Sequence, residues 1–272
     1  MKPLCRTGLF VSLLIGGLGC IAATSCKPQA IQPQATQPAA SEPSTPGEVA
    51  TPDKPPIRGR FRVAELPFDI VVFETVFWEP RDTSSLRKLI HTTDLVRKRT
   101  VMEIGTGSGL VALCCLHAQA KRVVATDVNP NALENARYNA EMLEMIDRLE
   151  TRRVPLEDSS AFAVLQPDER FDLIISNPPW EGQHPQSIEE YALYDHSFLL
   201  LDSLLSQLAD RLNPYGRALL AYGNVTAIRK AIELGPKYDL QVQVLDDRDI
   251  NELPKNFLPG MLLEFRCSAP NS

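Results

Sequence analysis

The sequence predicts an α/β fold, a mostly parallel sheet with helices packed on both faces. From Thr100 onward, short apolar runs alternate with helical patterns, as successive βαβ units do. The run Leu173-Ile174-Ile175 is apolar on both faces, as a central strand covered on both sides must be. The last two apolar runs, 238–245 and 261–267, follow one another with no helical pattern between them. They read as an antiparallel hairpin at the C-terminal end.

Taken in order, residues 60–76 alternate enough for one or two strands, broken near Pro67. Asp82 or Thr83 stands where a cap would open a short helix over 84–91. A strand over 100–104 runs through glycines into a helix over 109–118, and a second strand covers 122–126. Asn129 caps and Pro130 opens the next helix, which runs through Met142. Proline suits the first helical position because an N–H there has no helical partner anyway. A third strand spans 149–154. The strand over 171–176 must stop at Asn177-Pro178-Pro179-Trp180, since two prolines cannot donate to a ladder. A polar loop over 181–190 precedes a long amphipathic helix over 194–212. Asn213-Pro214-Tyr215-Gly216 turns into a strand over 217–222, and Asn224 caps a helix to about Leu234.

A chain of 272 residues with 44% hydrophobic content has room for a sizeable core, but its 22 prolines are unevenly placed. Residues 1–26 read as a signal peptide or membrane anchor. Lys2 and Arg6 start it, and no further charge appears until Lys27. Cys20 and Cys26 make it lipoprotein-like. Residues 27–57 hold eight prolines and no aromatic residue. Such a segment buries too little apolar surface to offset its ordering entropy and reads as a disordered linker. Residues 58–272 are then the working domain, held at a membrane through the leader, on a side the sequence leaves open. The domain is cytoplasmic if the leader does not act. The formal net charge of −6 gives no general attraction to nucleic acid. Arg97-Lys98-Arg99 and Arg152-Arg153 read as solvated faces. Cys114, Cys115 and Cys267 suggest no disulfide framework, and the four histidines have no ligand spacing, so no metal is expected.

Gly105-Thr106-Gly107-Ser108-Gly109 joins the 100–104 strand to its helix. Glycines there allow positive φ and close backbone approach to a ligand. A dinucleotide fingerprint would need glycine at Leu110, and a phosphate loop would need a lysine that is absent. Asp127 ends the following strand, where a carboxylate can accept both hydroxyls of a ribose, or serve only as a turn residue. Glu103 precedes the loop. It can hold an ammonium or attract a sulfonium, or simply be a solvated strand-end charge.

Together these segments, in this order, resemble a class I S-adenosylmethionine-dependent methyltransferase: Glu103-Ile104-Gly105-Thr106-Gly107-Ser108-Gly109, then Asp127-Val128-Asn129-Pro130, then Asn177-Pro178-Pro179-Trp180. Within that superfamily the tip is similar to the amino-methylating branch with Asn-Pro-Pro-aromatic. HemK-like protein-glutamine enzymes, adenine-N6 enzymes and the "small" guanine-N2 domain share it. Residues 76–83 also resemble the opening segment of HemK-like chains. The resemblance covers about 68–267 and implies a Rossmann-like, seven-stranded, mostly parallel sheet. It also implies S-adenosyl-L-methionine as cofactor, bound by Glu103, Gly105, Thr106, Gly107, Gly109, Asp127, Val128, Asp158 and Thr83. Asn177, Pro178, Pro179 and Trp180 would form the catalytic tip.

An amide or aromatic amino nitrogen is planar, with its lone pair delocalised away from a methyl donor. The Asn177 and Pro178 oxygens, both accepting from that NH2, would hold it and favour charge as it becomes tetrahedral. Trp180 would stack on the planar group. The expected function is N-methylation of a macromolecular acceptor, with protein glutamine ranked above a nucleobase of RNA or DNA. The rival reading is a non-catalytic, membrane-tethered binding module on the same fold.

Overall fold

The computed structural model describes residues 54–158 and 160–268. The expected leader and nearly all of the expected linker lie outside the described residues. Among the described residues no helix is long and apolar enough to cross a membrane.

Two front strands, β1 (Ile57–Arg62) and β2 (Asp69–Phe73), pair antiparallel as a sheet of their own, with Phe61 opposite Ile70. Then follow α1 (Ser84–Thr92), β3 (Thr100–Ile104), α2 (Leu110–His117), β4 (Arg122–Asp127), α3 (Pro130–Met142), β5 (Leu149–Arg153) and β6 (Phe171–Ser176). The chain closes with α4 (Leu199–Arg211), β7 (Leu212–Asn224), α5 (Val225–Lys237), β8 (Leu240–Val244) and β9 (Asn256–Cys267). Seven strands form the main sheet in the order β5-β4-β3-β6-β7-β9-β8. The first five are parallel, and β9 lies antiparallel between β7 and β8. The α/β expectation therefore holds, including the C-terminal hairpin.

Alternation along the strands explains the two cores. Val101, Leu173 and Ile175 join the apolar cluster beneath α1, α2 and α3, while Met102 and Ile174 join the one beneath α4 and α5. The strands therefore look apolar throughout. In α2 all seven residues from Leu110 to Leu116 are buried, since this helix meets the sheet on one side and α1 and α3 on others.

Several boundaries differ from the sequence expectation, among them the last strand, which begins at Asn256 rather than residue 261. The long helix begins at Leu199 rather than residue 194. Ser197 and Phe198 adopt positive φ, and the Asp195 carboxylate accepts the amides of Leu200 and Leu201 at 2.9 and 3.1 Å, so the cap sits later. Strand β7 starts at Leu212. Residues 213–216 form a bulge inside it, where the pairing jumps from Phe171–Leu212 to Leu173–Arg217. Helix α5 continues to Lys237, with Pro236 in its last turn.

The front sheet is fastened by asparagines on α3. Asn135 and Asn139, one turn apart and both buried, accept the amides of Phe73 and Val71 at 2.8 and 3.0 Å. Both donate to the Val71 carbonyl at 2.8 Å. Helix side chains thus replace the missing neighbour strand on that edge of β2. Asn129 and Asn131 hold Thr75 in the same way. The segment after β2 is thereby laid over the carboxyl ends of β3 and β4, where ligands bind in open α/β sheets.

Candidate active site

A cavity of about 350 Å³ opens over that sheet edge. Its floor is the glycine loop and the ends of β3, β4 and β6. Its front wall is Phe77, Trp78 and Glu79, and its roof comes from residues 184–200.

Gly105, Gly107 and Gly109 all have positive φ, between 54° and 81°. The amides of Gly105 and Thr106 donate to the Thr126 carbonyl at 2.9 and 3.0 Å, seating the loop on β4. Gly109 is also a contact point. An added Cβ would lie 2.8 Å from the Cα of Ala136, so α2 and α3 cross this closely only without one. The cavity is lined by Gly105, Thr106 and Gly107, but not by Gly109, whose part is this packing.

Glu103 lines the cavity and is 4% exposed, which removes the solvated strand-end alternative. Thr106 Oγ1 donates to its Oε2 at 2.6 Å. Desolvation outweighs that bond and pushes the carboxyl up to about 8. Asp127 is half-buried at the end of β4. Its Oδ2 accepts the Gly107 amide and its Oδ1 the Asn129 amide, each at 2.9 Å. Burial raises this carboxyl as well, against those backbone donors. Each oxygen retains a lone pair for a ligand donor.

Asn177 follows β6 directly and lines the cavity, with its Oδ1 buried and unpartnered. Ser176 Oγ fixes the strand end by donating to the Ile104 carbonyl at 2.7 Å. Pro179 reaches the lining; Pro178 and Trp180 do not. The expected stacking ring is thus not part of the cavity lining. The indole packs against Gly223, where a Cβ would meet its edge, and against the core beneath α4 and α5. Val128 lines the cavity, and exposed Asp158 stands at its rim, its Oδ1 accepting the Ser160 amide at 2.9 Å. Thr83 lines it too. Thr83 sits at the N-cap of α1 without a side-chain capping bond, and its Oγ1 accepts from Arg87 Nε at 3.3 Å.

The roof was not anticipated, since residues 181–190 read as a polar loop. Backbone bonds from Glu181 to Leu193 and from Asp195 back to Glu181 fold the segment on itself. It brings in Ile188, Tyr191 and Tyr194, and it stacks His184 on His196 with ring centroids 3.4 Å apart. Aromatic residues at 191, 194 and 196 were the available signal. Six carboxylates and two histidines line the cavity, and among the described residues no lysine or arginine does. Arg152, expected on a solvated face, is instead paired with Glu150 and Glu169. No cluster of three metal-ligating side chains occurs among the described residues.

Comparison with known proteins bears on this arrangement. The chain is 35% identical over 133 residues to a release factor glutamine methyltransferase of Rhodopirellula baltica, covering 44% of this chain and 43% of that one. It is 30% identical over 134 residues to a tRNA1(Val) (adenine(37)-N6)-methyltransferase of Shewanella loihica, covering 48% and 55%. It thus spans about half the length of these curated relatives. Its fold is similar to that of a 16S rRNA N2 methyltransferase of T. Thermophilus, solved with AdoMet and guanosine. That match has a TM-score of 0.53 and 18% identity, covering 77% of this chain and 50% of that one. The methyltransferase small domain model matches residues 72–220, more than half of the chain, from β2 into β7. The chain belongs to the methyltransferase small domain family.

Proposed function

We propose that this protein is an S-adenosylmethionine-dependent N-methyltransferase acting on a planar amino group, with a protein glutamine amide as the favoured acceptor. The observation that carries the reading is Asn177 itself, which follows β6 directly and lines the cavity beside the glycine loop and Asp127. The cavity fits the cofactor. It offers an open turn of positive-φ glycines, a carboxylate at Asp127 for ribose hydroxyls, and Glu103 for a cationic group. When bound there, the cofactor supplies an electrophilic methyl group.

The chain's own residues do the rest. Gly105, Thr106 and Gly107 let the cofactor approach the sheet edge, and Asp127 fixes its register. Glu103 is protonated near neutral pH and ionises as positive charge arrives beside it. Asn177 Oδ1 holds the acceptor NH2 and favours the charge it gains on becoming tetrahedral. Val111, Leu156 and Leu199 give the cavity an apolar lining. No general base is needed before attack, because the nitrogen becomes acidic only on methylation.

Two features support an amide over a base. The tip's aromatic ring is not among the residues that line the cavity. The lining also has no lysine or arginine, among the described residues, to meet a phosphate. The same reading keeps residues 1–57 as a leader and linker that hold the enzyme at a membrane. Calorimetry with the full chain should show cofactor binding; its absence sinks the proposal. Labelled cofactor offered with glutamine-containing peptides and with RNA and DNA oligonucleotides should label the peptides. Labelling of oligonucleotides alone would move the acceptor to a nucleobase.

A further inference from the structure

We propose that Arg87 is a positioning residue that turns the Thr83 hydroxyl proton into the cavity, where it holds the carboxylate of the cofactor's amino-acid end. The inference rests on the cofactor assigned above. S-adenosylmethionine carries a carboxylate as well as its sulfonium and ammonium groups. Six carboxylates line the cavity, and among the described residues no lysine or arginine does. Such a lining repels the incoming carboxylate. A neutral hydrogen-bond donor with positive charge behind it is what that group needs.

Thr83 and Arg87 make that pair. Thr83 lines the cavity, is 7% exposed and stands at the N-cap of α1. A hydroxyl there ordinarily accepts an amide of the first turn, but no side-chain capping bond forms. Its Oγ1 instead accepts from Arg87 Nε at 3.3 Å. A guanidinium only donates, so the direction of that bond is fixed and the hydroxyl proton turns away from Arg87. Thr106 and Thr126 also line the cavity, but their protons are spent on Glu103, on Oε2 at 2.6 Å and on the carbonyl at 3.3 Å.

The guanidinium is held from behind. Arg87 is 5% exposed, its Nη2 donates to the Pro80 carbonyl at 2.7 Å, and its Nη1 donates to the Glu65 carboxylate. The Arg87 amide donates to the Thr83 carbonyl at 2.9 Å, which ties the two backbones across the first turn of α1. Glu65 lies in the connection between β1 and β2, so the front sheet sets where the charge stands. One planar fork thus meets the front sheet, the cavity wall at Pro80 and the hydroxyl of Thr83.

The test is calorimetry on the full chain with two ligands, S-adenosyl-L-methionine and its decarboxylated analogue, which lacks only the carboxylate. The ratio of their affinities reports the carboxylate's contact, whereas a disturbed fold or cavity weakens both alike. Thr83→Val should weaken S-adenosyl-L-methionine about tenfold or more and the analogue no more than about twofold. Thr83→Ser, which keeps the hydroxyl, should leave the ratio as in the wild type. Arg87→Met combined with Glu65→Leu removes the buried pair together, which a fold tolerates better than the loss of one partner. The hydroxyl then has about three staggered positions open instead of one, so the ratio should fall about threefold or more. Arg87→Lys keeps the cation without the planar fork and should move the ratio the same way. A ratio unchanged in Thr83→Val, or unchanged in the Arg87 variants, overturns the proposal while the cofactor assignment stands. A wild type that binds neither ligand overturns both.

Discussion

The indole of Trp180 lies against Gly223, where an added Cβ would fall 2.7 Å from the ring and 2.6 Å from the Phe257 carbonyl oxygen. The aromatic residue of the tip thus helps to pack the end of β7 onto the core. Gly223→Ala should destabilise the fold by about 1–3 kcal/mol through overpacking, read from thermal or denaturant unfolding. Trp180→Phe should keep methyl transfer within about threefold per folded molecule, while Trp180→Ala should cost about 3 kcal/mol of stability. A large loss of transfer in Trp180→Phe at unchanged stability would return the ring to the acceptor.

Asn177 and Asp127 should separate chemistry from cofactor binding. Asn177→Ala should lower transfer on the order of 100-fold or more, with the cofactor Kd within about twofold. Asp127→Ala removes a carboxylate that also holds the Gly107 and Asn129 amides. It should weaken cofactor binding on the order of tenfold to a hundredfold, since hydrogen bonds to charged groups are worth about 1.5–3 kcal/mol. Calorimetry on both variants checks the pair, and equal cofactor losses in both would contradict the division of labour.

Much of this was legible in the residues, for physical reasons. Asn129-Pro130 is a capping signal that local chemistry alone enforces, and the Asn129 side chain accepts the Asn131 amide at 2.9 Å. Strand β6 ends where two prolines forbid a ladder. The roof was hidden because a turn depending on positive φ at Ser197 and Phe198 has no signature in non-glycine residues. The packing of Trp180 was hidden for a similar reason. What decides its direction is space at Gly223, forty-three positions away in sequence, and pattern reading does not see a hole.

Glu103 should couple cofactor binding to pH. Its folded-state carboxyl sits at about 8, against an ordinary 4.5 in the unfolded chain. The folded state therefore holds the proton more tightly. The stability this group contributes is complete below about 4.5 and is lost as pH rises through about 8. A cation beside it favours the ionised form, so cofactor binding near pH 7 should release up to one proton, and affinity should rise with pH until about 8. Calorimetry in buffers of different ionisation enthalpy counts that proton. Glu103→Gln should bind more weakly, release none and show a flat pH dependence; proton release persisting in this variant would assign it to another group.

Asn139 ties three pieces of the site together, and its removal should loosen the front wall without touching the chemistry. Its Oδ1 accepts the Val71 amide at 3.0 Å, and its Nδ2 donates to the Val71 and Ser108 carbonyls at 2.8 and 3.0 Å. It thus joins α3 to the front sheet and to the glycine loop. Asn139→Ala leaves a buried amide and a buried carbonyl short of partners, at about 1–3 kcal/mol each. Asn135 still donates to the Val71 carbonyl at 2.8 Å, so the edge of β2 should loosen rather than detach. Hydrogen exchange should speed up across 69–78, where Phe77 and Trp78 enter the cavity wall. Cofactor and acceptor affinities should weaken together while the rate at saturation changes little, because Asn177 and Glu103 keep their places. Unchanged exchange over 69–78 would mean that β1 alone holds the front segment in position.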